Sequence, residues 1–263
     1  GSGHVYVAWY DRRADIHYGN AVVARSVDGG ASFGTPVEAD QHSRWALTPR
    51  LAVDRGQDRL YLAYQGHPDY YKPYVTISAD DGATWSADKR LDAGPDRDWY
   101  DAARTIDVAA GDEGHAVVLW ADERHDPDNC YTGGTSCHDE FDIYANCSGD
   151  GGGTWLSDQN VIINDDSTYG RIYAPTAAFG PNGSLVAAWR DSRAGDGATD
   201  IWMATSSDSG ATWSANQRVD HAPGGYRADY PTVVVDNSGT GYVIWHDERN
   251  GDWDVYLTSV GKP

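Results

Sequence analysis

The sequence is poor in lysine, phenylalanine, methionine and cysteine, and it has no long run of apolar residues. Three Lys stand against 40 acidic residues, and the formal net charge is −20. So strong a negative charge repels the phosphate backbone, which makes nucleic acid a poor partner. Without an apolar run of about 20 residues, no membrane-spanning helix is predicted. No signal peptide is recognisable, and we expect the N-terminus to be processed or truncated.

The residues that are abundant are typical of an all-β protein. The chain has 30 Gly, 17 Tyr and 11 Trp among its 263 residues. This mixture favours many short strands joined by tight turns. The length suits one large domain with a real core, which we predict over residues 1–263. The acidic composition fits an extracellular setting, and we expect a secreted or cell-surface protein.

A structural unit recurs about every 56 residues along the chain. Apolar runs end in an aromatic residue at five positions, spaced 55, 56, 69 and 56 residues apart: Trp9, Tyr64, Trp120, Trp189 and Trp245. The long interval contains one insertion. Self-similarity at a fixed period is the signature of a repeat architecture in which each unit buries its face against its neighbours.

A second element, Ser-x-Asp-x-Gly-x-Ser/Thr-aromatic, follows four of these runs. Its Asp residues are Asp28, Asp80, Asp150 and Asp208. An Asp side chain can accept hydrogen bonds from turn N–H groups two residues on, and Gly can take a positive φ where the chain reverses. The closing aromatic residue then covers the turn. We interpret each element as a structural turn; the alternative is a ligand or metal site at each Asp.

This element resembles the Asp box, or BNR repeat, of sialidases and related β-propellers. The resemblance covers most of the chain and implies an all-β propeller of four-stranded blades, with the box at the turn between strands C and D. Five repeat units are visible; the first lacks strand A and the last lacks strand D. Either a five-bladed ring closes imperfectly, or the chain is a segment of a larger propeller. In the fourth unit the predicted strands are 175–179, 185–191, 200–206 and 213–219.

A third recurrent motif, Trp-x-Asp-x-Arg, ends strand B in four units, and strand C then opens with Asp. The Arg and the Asp are lost together in the second unit, which suggests a structural ion pair across the strands, such as Arg193 with Asp200 or Arg249 with Asp254. The residues of this prediction are Arg13, Arg124, Arg193 and Arg249 with Asp15, Asp142, Asp200 and Asp254.

Sialidases place their active site on the face formed by the D–A and B–C loops, so the candidate site residues are the departures from the repeat on that face. Aromatic rings stack on sugars and Arg forks bind carboxylates. The candidate ligand-binding residues are Trp45, Trp99, Arg171, Tyr173, Tyr226, Arg227, Tyr230 and His67. Alternatively, Tyr173 and Tyr230 fill gaps between blades, and His67 is a surface residue.

The insertion over residues 125–141 is a further departure. Its carboxylates Asp126, Asp128, Asp139 and Glu140 could hold Ca²⁺, which takes six to eight oxygen ligands; the alternative is a solvated acidic loop. Cys130 and Cys137 close a short loop and are predicted to form a disulfide, leaving Cys147 alone. Three unpaired thiols are the alternative. No cofactor is required by the sequence.

Two functions follow from the resemblance. A sialidase-like glycoside hydrolase would use an Arg clamp and a Tyr nucleophile, drawn from Arg104, Arg171, Arg227, Tyr100, Tyr173 and Tyr230. The Arg-Ile-Pro signature of sialidases is absent near the N-terminus, and the chain has only five Glu. We therefore favour a non-catalytic module that binds carbohydrate or an extracellular protein, and whether the chain is an enzyme stays open at this point.

Overall fold

The structure, a computed structural model, describes residues 3–13, 19–41, 45–54, 56–66, 71–92, 105–123, 141–156, 161–165, 172–194, 197–221 and 225–261. These residues form strands β1 (Val5–Asp11), β2 (Asn20–Ser26), β3 (Val37–Glu38), β4 (Ala46–Asp54), β5 (Arg59–Gly66), β6 (Lys72–Ser78), β7 (Lys89–Arg90), β8 (Ile106–Ala110), β9 (Ala116–Asp122), β10 (Asp142–Ser148), β11 (Val161–Ile162), β12 (Tyr173–Phe179), β13 (Leu185–Asp191), β14 (Asp200–Ser206), β15 (Gln217–Arg218), β16 (Ala228–Val235), β17 (Gly241–Asp247) and β18 (Asp254–Val260). A 3-10 turn, Pro181–Gly183, joins β12 to β13. Within the described ranges no helix is long and apolar enough to cross a membrane.

The strands form five antiparallel sheets, which we call blades 1 to 5. Blade 1 is β1–β3, blade 2 is β4–β7, blade 3 is β8–β11, blade 4 is β12–β15 and blade 5 is β16–β18. The predicted all-β class and the four-stranded unit are confirmed, as are the three-stranded first and last units. In blade 4, strand D is only Gln217–Arg218, shorter than the predicted 213–219, because its first part follows the turn after the Asp box.

Each blade packs face to face against the next one, and these contacts make up the core. One cluster joins Val75 of blade 2 to Val118 of blade 3, and another joins Leu119 of blade 3 to Leu185 of blade 4. Similar clusters join blade 1 to blade 2 and blade 4 to blade 5. Strand β9 is buried on both faces, which explains its uninterrupted apolar sequence.

The four Asp boxes have one geometry. In the second box, the Ser78 hydroxyl lies 2.8 Å from Oδ1 of Asp80 and accepts the N–H of Gly82 at 2.8 Å. Asp80 also accepts the backbone N–H of Thr84 at 2.8 Å, and the same bonds recur in the other three boxes. The Asp therefore accepts the N–H of the residue four positions later, not two positions later as predicted. The N–H in the middle of the turn is instead bound by the Ser hydroxyl.

The Trp-x-Asp-x-Arg motif forms its ion pair within itself. Nε of Arg249 lies 2.8 Å from Oδ1 of Asp247, and the indole N–H of Trp245 donates to the same carboxylate at 2.9 Å. The cross-strand pair predicted between Arg249 and Asp254 is wrong. Strand β17 ends at Asp247, and Oδ1 of Asp247 accepts the backbone N–H of Arg249 at 3.1 Å, so the turn brings the Arg249 guanidinium onto the same carboxylate.

The same arrangement occurs in two other blades. Arg193 binds Asp191 through Nε at 2.9 Å, and Arg13 binds Asp11 at 3.0 Å. Asp200, the partner predicted for Arg193, pairs with Arg218 of strand D at 2.8 Å. Asp142 accepts a hydrogen bond from the side-chain amide of Asn164. Arg124 and Asp15 lie outside the described residues.

Candidate functional site

The middle residue of Trp-x-Asp varies from blade to blade, although its neighbours repeat. It is Tyr10, Gln65, Ala121, Arg190 and His246 in blades 1 to 5. Four of the five blades use the flanking Trp and Asp for their own structure, and blade 2 has Tyr64 and Gly66 there, so the variable position is free to carry chemistry. In blades 4 and 5 it holds Arg190 and His246, whose side-chain nitrogens can form hydrogen bonds with a ligand.

Arg190 links blade 4 to blade 5 at the loop face. Its Nη1 atom lies 2.8 Å from Oδ2 of Asp229, which is near the start of β16. The guanidinium carbon also lies 4.9 Å from the ring centroid of Tyr173, and that ring contacts Phe141 at 4.6 Å. Arg190 is therefore held between a carboxylate and an aromatic face, and its side chain is largely buried.

Strand A carries a bulge in blades 2, 4 and 5. The residue before a Pro has a positive φ in each case: 48° at Thr48, 53° at Ala174 and 48° at Tyr230. The pairing register shifts at the same places. Bulges redirect side chains, and non-Gly residues with positive φ are concentrated at functional sites. At Tyr230 the bulge turns a large ring into solvent, where it is 69% exposed.

Tyr230, His246 and Trp253 form an aromatic surface, which we call the aromatic shelf. The ring of Tyr230 lies 5.4 Å from that of His246, edge to face, and His246 lies 4.5 Å from Trp253. Trp253 is about half exposed. The backbone N–H of Tyr230 donates to Asp229 at 3.0 Å, so the shelf is joined directly to the Arg190–Asp229 pair.

The segment just before β16 leads to the aromatic shelf along the chain. The N–H of Ala228 donates to the carbonyl of Thr199 at 2.7 Å, which fixes this segment to the B–C loop of blade 4. Arg227 and Tyr226 are exposed. Among the described residues the Arg227 side chain has no hydrogen-bond partner, so its charge is available to a ligand.

A separate aromatic pair lies in blade 2. Trp45 and Tyr71 stack with ring centroids 6.1 Å apart and planes 7° from parallel. Both have positive φ, 47° and 58°. Of the predicted ligand-binding residues, Tyr173, Tyr226, Arg227 and Tyr230 therefore lie in blades 4 and 5, whereas Trp45 belongs to its own cluster in blade 2.

A partly buried acid lies on strand A of blade 3. Asp107 of β8 accepts the N–H of Ala177 in β12 at 3.2 Å. Burial raises the pKa of the Asp107 carboxyl, although its backbone hydrogen bonds and the charge of Arg50 oppose this. A carboxyl that keeps its proton more readily than usual can act as an acid.

Several predicted residues lie outside the described part of the chain. These are Arg104, Arg171, Tyr100, Trp99 and His67, the insertion residues Asp126, Asp128, Asp139 and Glu140, and Cys130 and Cys137. Within the part that is described, no group of three or more His, Cys, Asp or Glu side chains could hold a metal ion. The Ca²⁺ site and the disulfide stay predictions.

Sequence reasoning missed Arg190, Asp229, His246 and Trp253. Arg190 and His246 had a signal, since they occupy the variable position of an otherwise fixed motif. Asp229 and Trp253 had none, because their roles arise from contacts between blades and between strands.

No protein-family model matches the chain, and no curated protein matches it. Solved structures do match over nearly its whole length. A protein of unknown function from Dyadobacter fermentans shares 16% identity, with 93% of this chain and 72% of that one covered and a TM-score of 0.59. The α-L-arabinanase of Penicillium chrysogenum, complexed with arabinobiose, shares 18% identity over 96% of this chain and 77% of that one, with a TM-score of 0.59. An ulvan lyase shares 10% identity over 99% and 68%, with a TM-score of 0.59. At such identities the likeness concerns the fold, and it confirms the all-β propeller class.

Proposed function

We propose that this chain is a carbohydrate-binding propeller whose ligand, a neutral oligosaccharide, lies on the aromatic shelf. The observation that carries the proposal is the exposure of Tyr230 and Trp253 on either side of His246 at the loop face. Exposed, rigid rings lose little entropy when a sugar ring stacks on them. The nearby Arg190 and Asp229 offer polar groups for sugar hydroxyls.

Charge favours a neutral ligand over an acidic one. With a net charge of −20 the protein repels polyanions at long range. Arg190 is already paired with Asp229, so its charge is compensated. Arg227 is the exposed cation nearest to the shelf in sequence. Of the three arginines predicted for a carboxylate clamp, Arg227 alone lies within the described residues.

The matching structures support a carbohydrate ligand more broadly. The Penicillium arabinanase was solved with arabinobiose, and an ulvan lyase was solved bound to -[GlcA(1-4)Rha3S]-. Both are carbohydrate-active proteins with a similar fold. We propose in addition that the chain acts outside the cell, where polysaccharides are met, as its acidic composition suggests.

Affinity electrophoresis in gels that contain arabinan, galactan or polygalacturonate tests the proposal. We expect retardation by a neutral polysaccharide, its loss in Tyr230→Ala and Trp253→Ala, and no retardation by polygalacturonate. Phe33→Ala is the matched control, because Phe33 is an exposed ring at an Asp box, away from the loop face. Equal binding by the shelf variants and the wild type would contradict the proposal.

A glycoside hydrolase is the alternative, and Asp107 favours it. The burial that raises the pKa of this carboxyl is an arrangement used for general acids. Incubation of the full chain with aryl glycosides of arabinose, galactose and sialic acid separates the two functions. Turnover that Asp107→Asn abolishes, with the fold intact, would establish catalysis; binding without turnover supports the non-catalytic module.

A further inference from the structure

A second group of aromatic rings lies on the loop face, at the joint between blades 1 and 2. Trp45 directly precedes β4 and Tyr71 directly precedes β6, and their rings lie nearly parallel with centroids 6.1 Å apart. Tyr10, near the end of β1, holds the variable position of blade 1. All three residues are half-buried, so part of each side chain stays open to solvent. We call Tyr10, Trp45 and Tyr71 the blade 1–2 cluster.

Gly19 positions Tyr10 in this cluster. A Cβ on Gly19 would lie 2.5 Å from Cζ of Tyr10 and 2.8 Å from Cγ of Arg12, so both side chains lie against bare backbone. The Gly19 carbonyl accepts the N–H of Ala46 at 3.0 Å, which fixes the start of β4 to blade 1. Burial raises the pKa of Tyr10, the charge of Arg12 opposes this, and the Tyr71 hydroxyl adds to it. The two Tyr hydroxyls are therefore electrostatic neighbours across the joint.

The backbone is strained at both stacked residues. The φ angle is 47° at Trp45 and 58° at Tyr71. A bulky residue in this region costs about 1–3 kcal/mol, and such residues are concentrated at functional sites. Among the described residues, the apolar cluster that joins blades 1 and 2 includes neither ring. Core packing therefore does not account for the strain.

Tyr71 is equivalent to Trp253 of the aromatic shelf, since each directly precedes strand C of its blade. At this position blade 1 has Gly19 and blade 4 has Thr199. Blade 3 has an aromatic ring there, but Phe141 is only 4% exposed. Of these five positions, only those of blades 2 and 5 thus present an aromatic ring to solvent.

The two joints also share a backbone bond. The N–H of Ala46 donates to the Gly19 carbonyl at 3.0 Å, just as the N–H of Ala228 donates to the Thr199 carbonyl at 2.7 Å. The blade 1–2 cluster and the aromatic shelf are therefore built at equivalent places of two joints, on one face of the protein. A ligand that contacts both groups must extend across this face, which a saccharide of one or two units does not do.

We propose that the blade 1–2 cluster is a second saccharide subsite, and that the ligand is a neutral polysaccharide that contacts this cluster and the aromatic shelf at once. The inference rests on the proposed function. Sugar rings stack on the aromatic faces, and the hydroxyls of Tyr10 and Tyr71 form hydrogen bonds with sugar hydroxyls. Two weak contacts on one polymer give tight binding, because the second forms within the complex that the first has made.

The test compares a polymer with a short oligosaccharide on the full 263-residue chain. Titration calorimetry with linear arabinan and with linear galactan, each beside its own trisaccharide, gives the ratio of the polymer affinity to the trisaccharide affinity. We expect a ratio of about ten or more for the polymer that binds the wild type. Trp45→Gly and Tyr71→Gly should each lower this ratio about tenfold. Glycine takes a positive φ without strain, so both variants should fold.

Two further variants control the comparison. Trp45→Phe keeps an aromatic ring and should recover most of the ratio. Phe33→Ala removes an exposed ring from an Asp box, away from the loop face, and should leave the ratio unchanged.

The outcomes separate this inference from the proposed function. Polymer binding that the shelf variants abolish, with an unchanged ratio in Trp45→Gly and Tyr71→Gly, would overturn the second subsite and leave the shelf in place. An equal loss of polymer and trisaccharide binding in those two variants also leaves the ratio unchanged, and it too would overturn the second subsite. If neither polysaccharide binds the folded wild type, the proposed function fails and the second subsite fails with it.

Discussion

The Nη1 atom of Arg190 lies 2.8 Å from Oδ2 of Asp229, which joins the end of strand B in blade 4 to the start of strand A in blade 5. The Arg side chain is 20% exposed and the Asp side chain 11%. A pair this well shielded from water interacts more strongly than a surface salt bridge. It also sets the position of the segment that carries Tyr230.

The effects of removing Arg190 and Asp229 should not be additive. The double variant should lose less stability than the sum of the losses in the two single variants. We expect Arg190→Ala and Asp229→Ala each to lower the free energy of unfolding by about 1–3 kcal/mol, because the remaining partner keeps an unsatisfied polar group. Urea denaturation of both single variants and the double variant gives the coupling energy. A coupling near zero would mean that the pair contributes nothing to the joint between blades 4 and 5.

The glycines of the Asp boxes should differ in how they tolerate a side chain. Gly30 and Gly152 occupy the same box position, with φ of 96° and 84°. A Cβ on Gly152 would lie 1.9 Å from Cδ1 of Ile77, whereas a Cβ on Gly30 meets nothing within 4 Å. Gly30→Ala should therefore cost about 1 kcal/mol from backbone strain alone.

Gly152→Ala should cost an additional ~1–3 kcal/mol, because the new methyl group overpacks the interface between blades 2 and 3. Thermal unfolding of the two variants measures the difference directly. Equal melting temperatures would show that Ile77 moves aside without a loss of stability. The Asp box of Asp150 would then pack no more tightly against its neighbouring blade than the Asp box of Asp28 does.

The sequence predicted well the features that are local. The Asp boxes and strands B and C follow from residues close together in the chain, so a period of about 56 residues was enough to place them. The predicted ion-pair partner of Arg249 was wrong. Asp247 and Asp254 are both near Arg249 in sequence, and the choice between them depends on where β17 ends. The aromatic shelf could not be predicted, since the contact of His246 with Tyr230 depends on how β16 lies against β17.

The joint between blades 1 and 2 should lose stability as the pH rises. Burial raises the pKa of Asp40 to about 7, and the charges of Glu38 and Asp88 add to this, although the Ala21 N–H bound to its carboxyl opposes it. The folded state therefore holds a proton that the unfolded chain releases near pH 4. The stabilisation is complete below pH 4 and declines as the pH rises through about 7.

Asp40→Asn should remove this dependence, because the amide carries no charge and its Oδ1 still accepts the Ala21 N–H. Blade 3 already has Asn164 in the equivalent place, bound to Ile143. We expect the variant to melt at a higher temperature than the wild type at pH 8 and to show a smaller advantage at pH 5. Asp252→Asn, at an exposed acid, is the control. A constant difference from pH 5 to pH 8 would contradict the assignment to Asp40.

Cys147 should be unreactive in the folded protein. Its thiol is buried in the interface between blades 3 and 4, and burial raises its pKa to about 12, so almost no thiolate is present at pH 8. Its Sγ atom would lie 2.6 Å from a Cβ on Gly210, which leaves no room for a reagent. Titration with Ellman's reagent at pH 8 should detect no reaction at this thiol until the chain unfolds.

The same titration in denaturant decides the state of the other two cysteines. One reactive thiol per chain is expected if Cys130 and Cys137 form the predicted disulfide, and three are expected if they are reduced. Prior treatment with dithiothreitol should raise the count from one to three. Three thiols without reduction would contradict the disulfide.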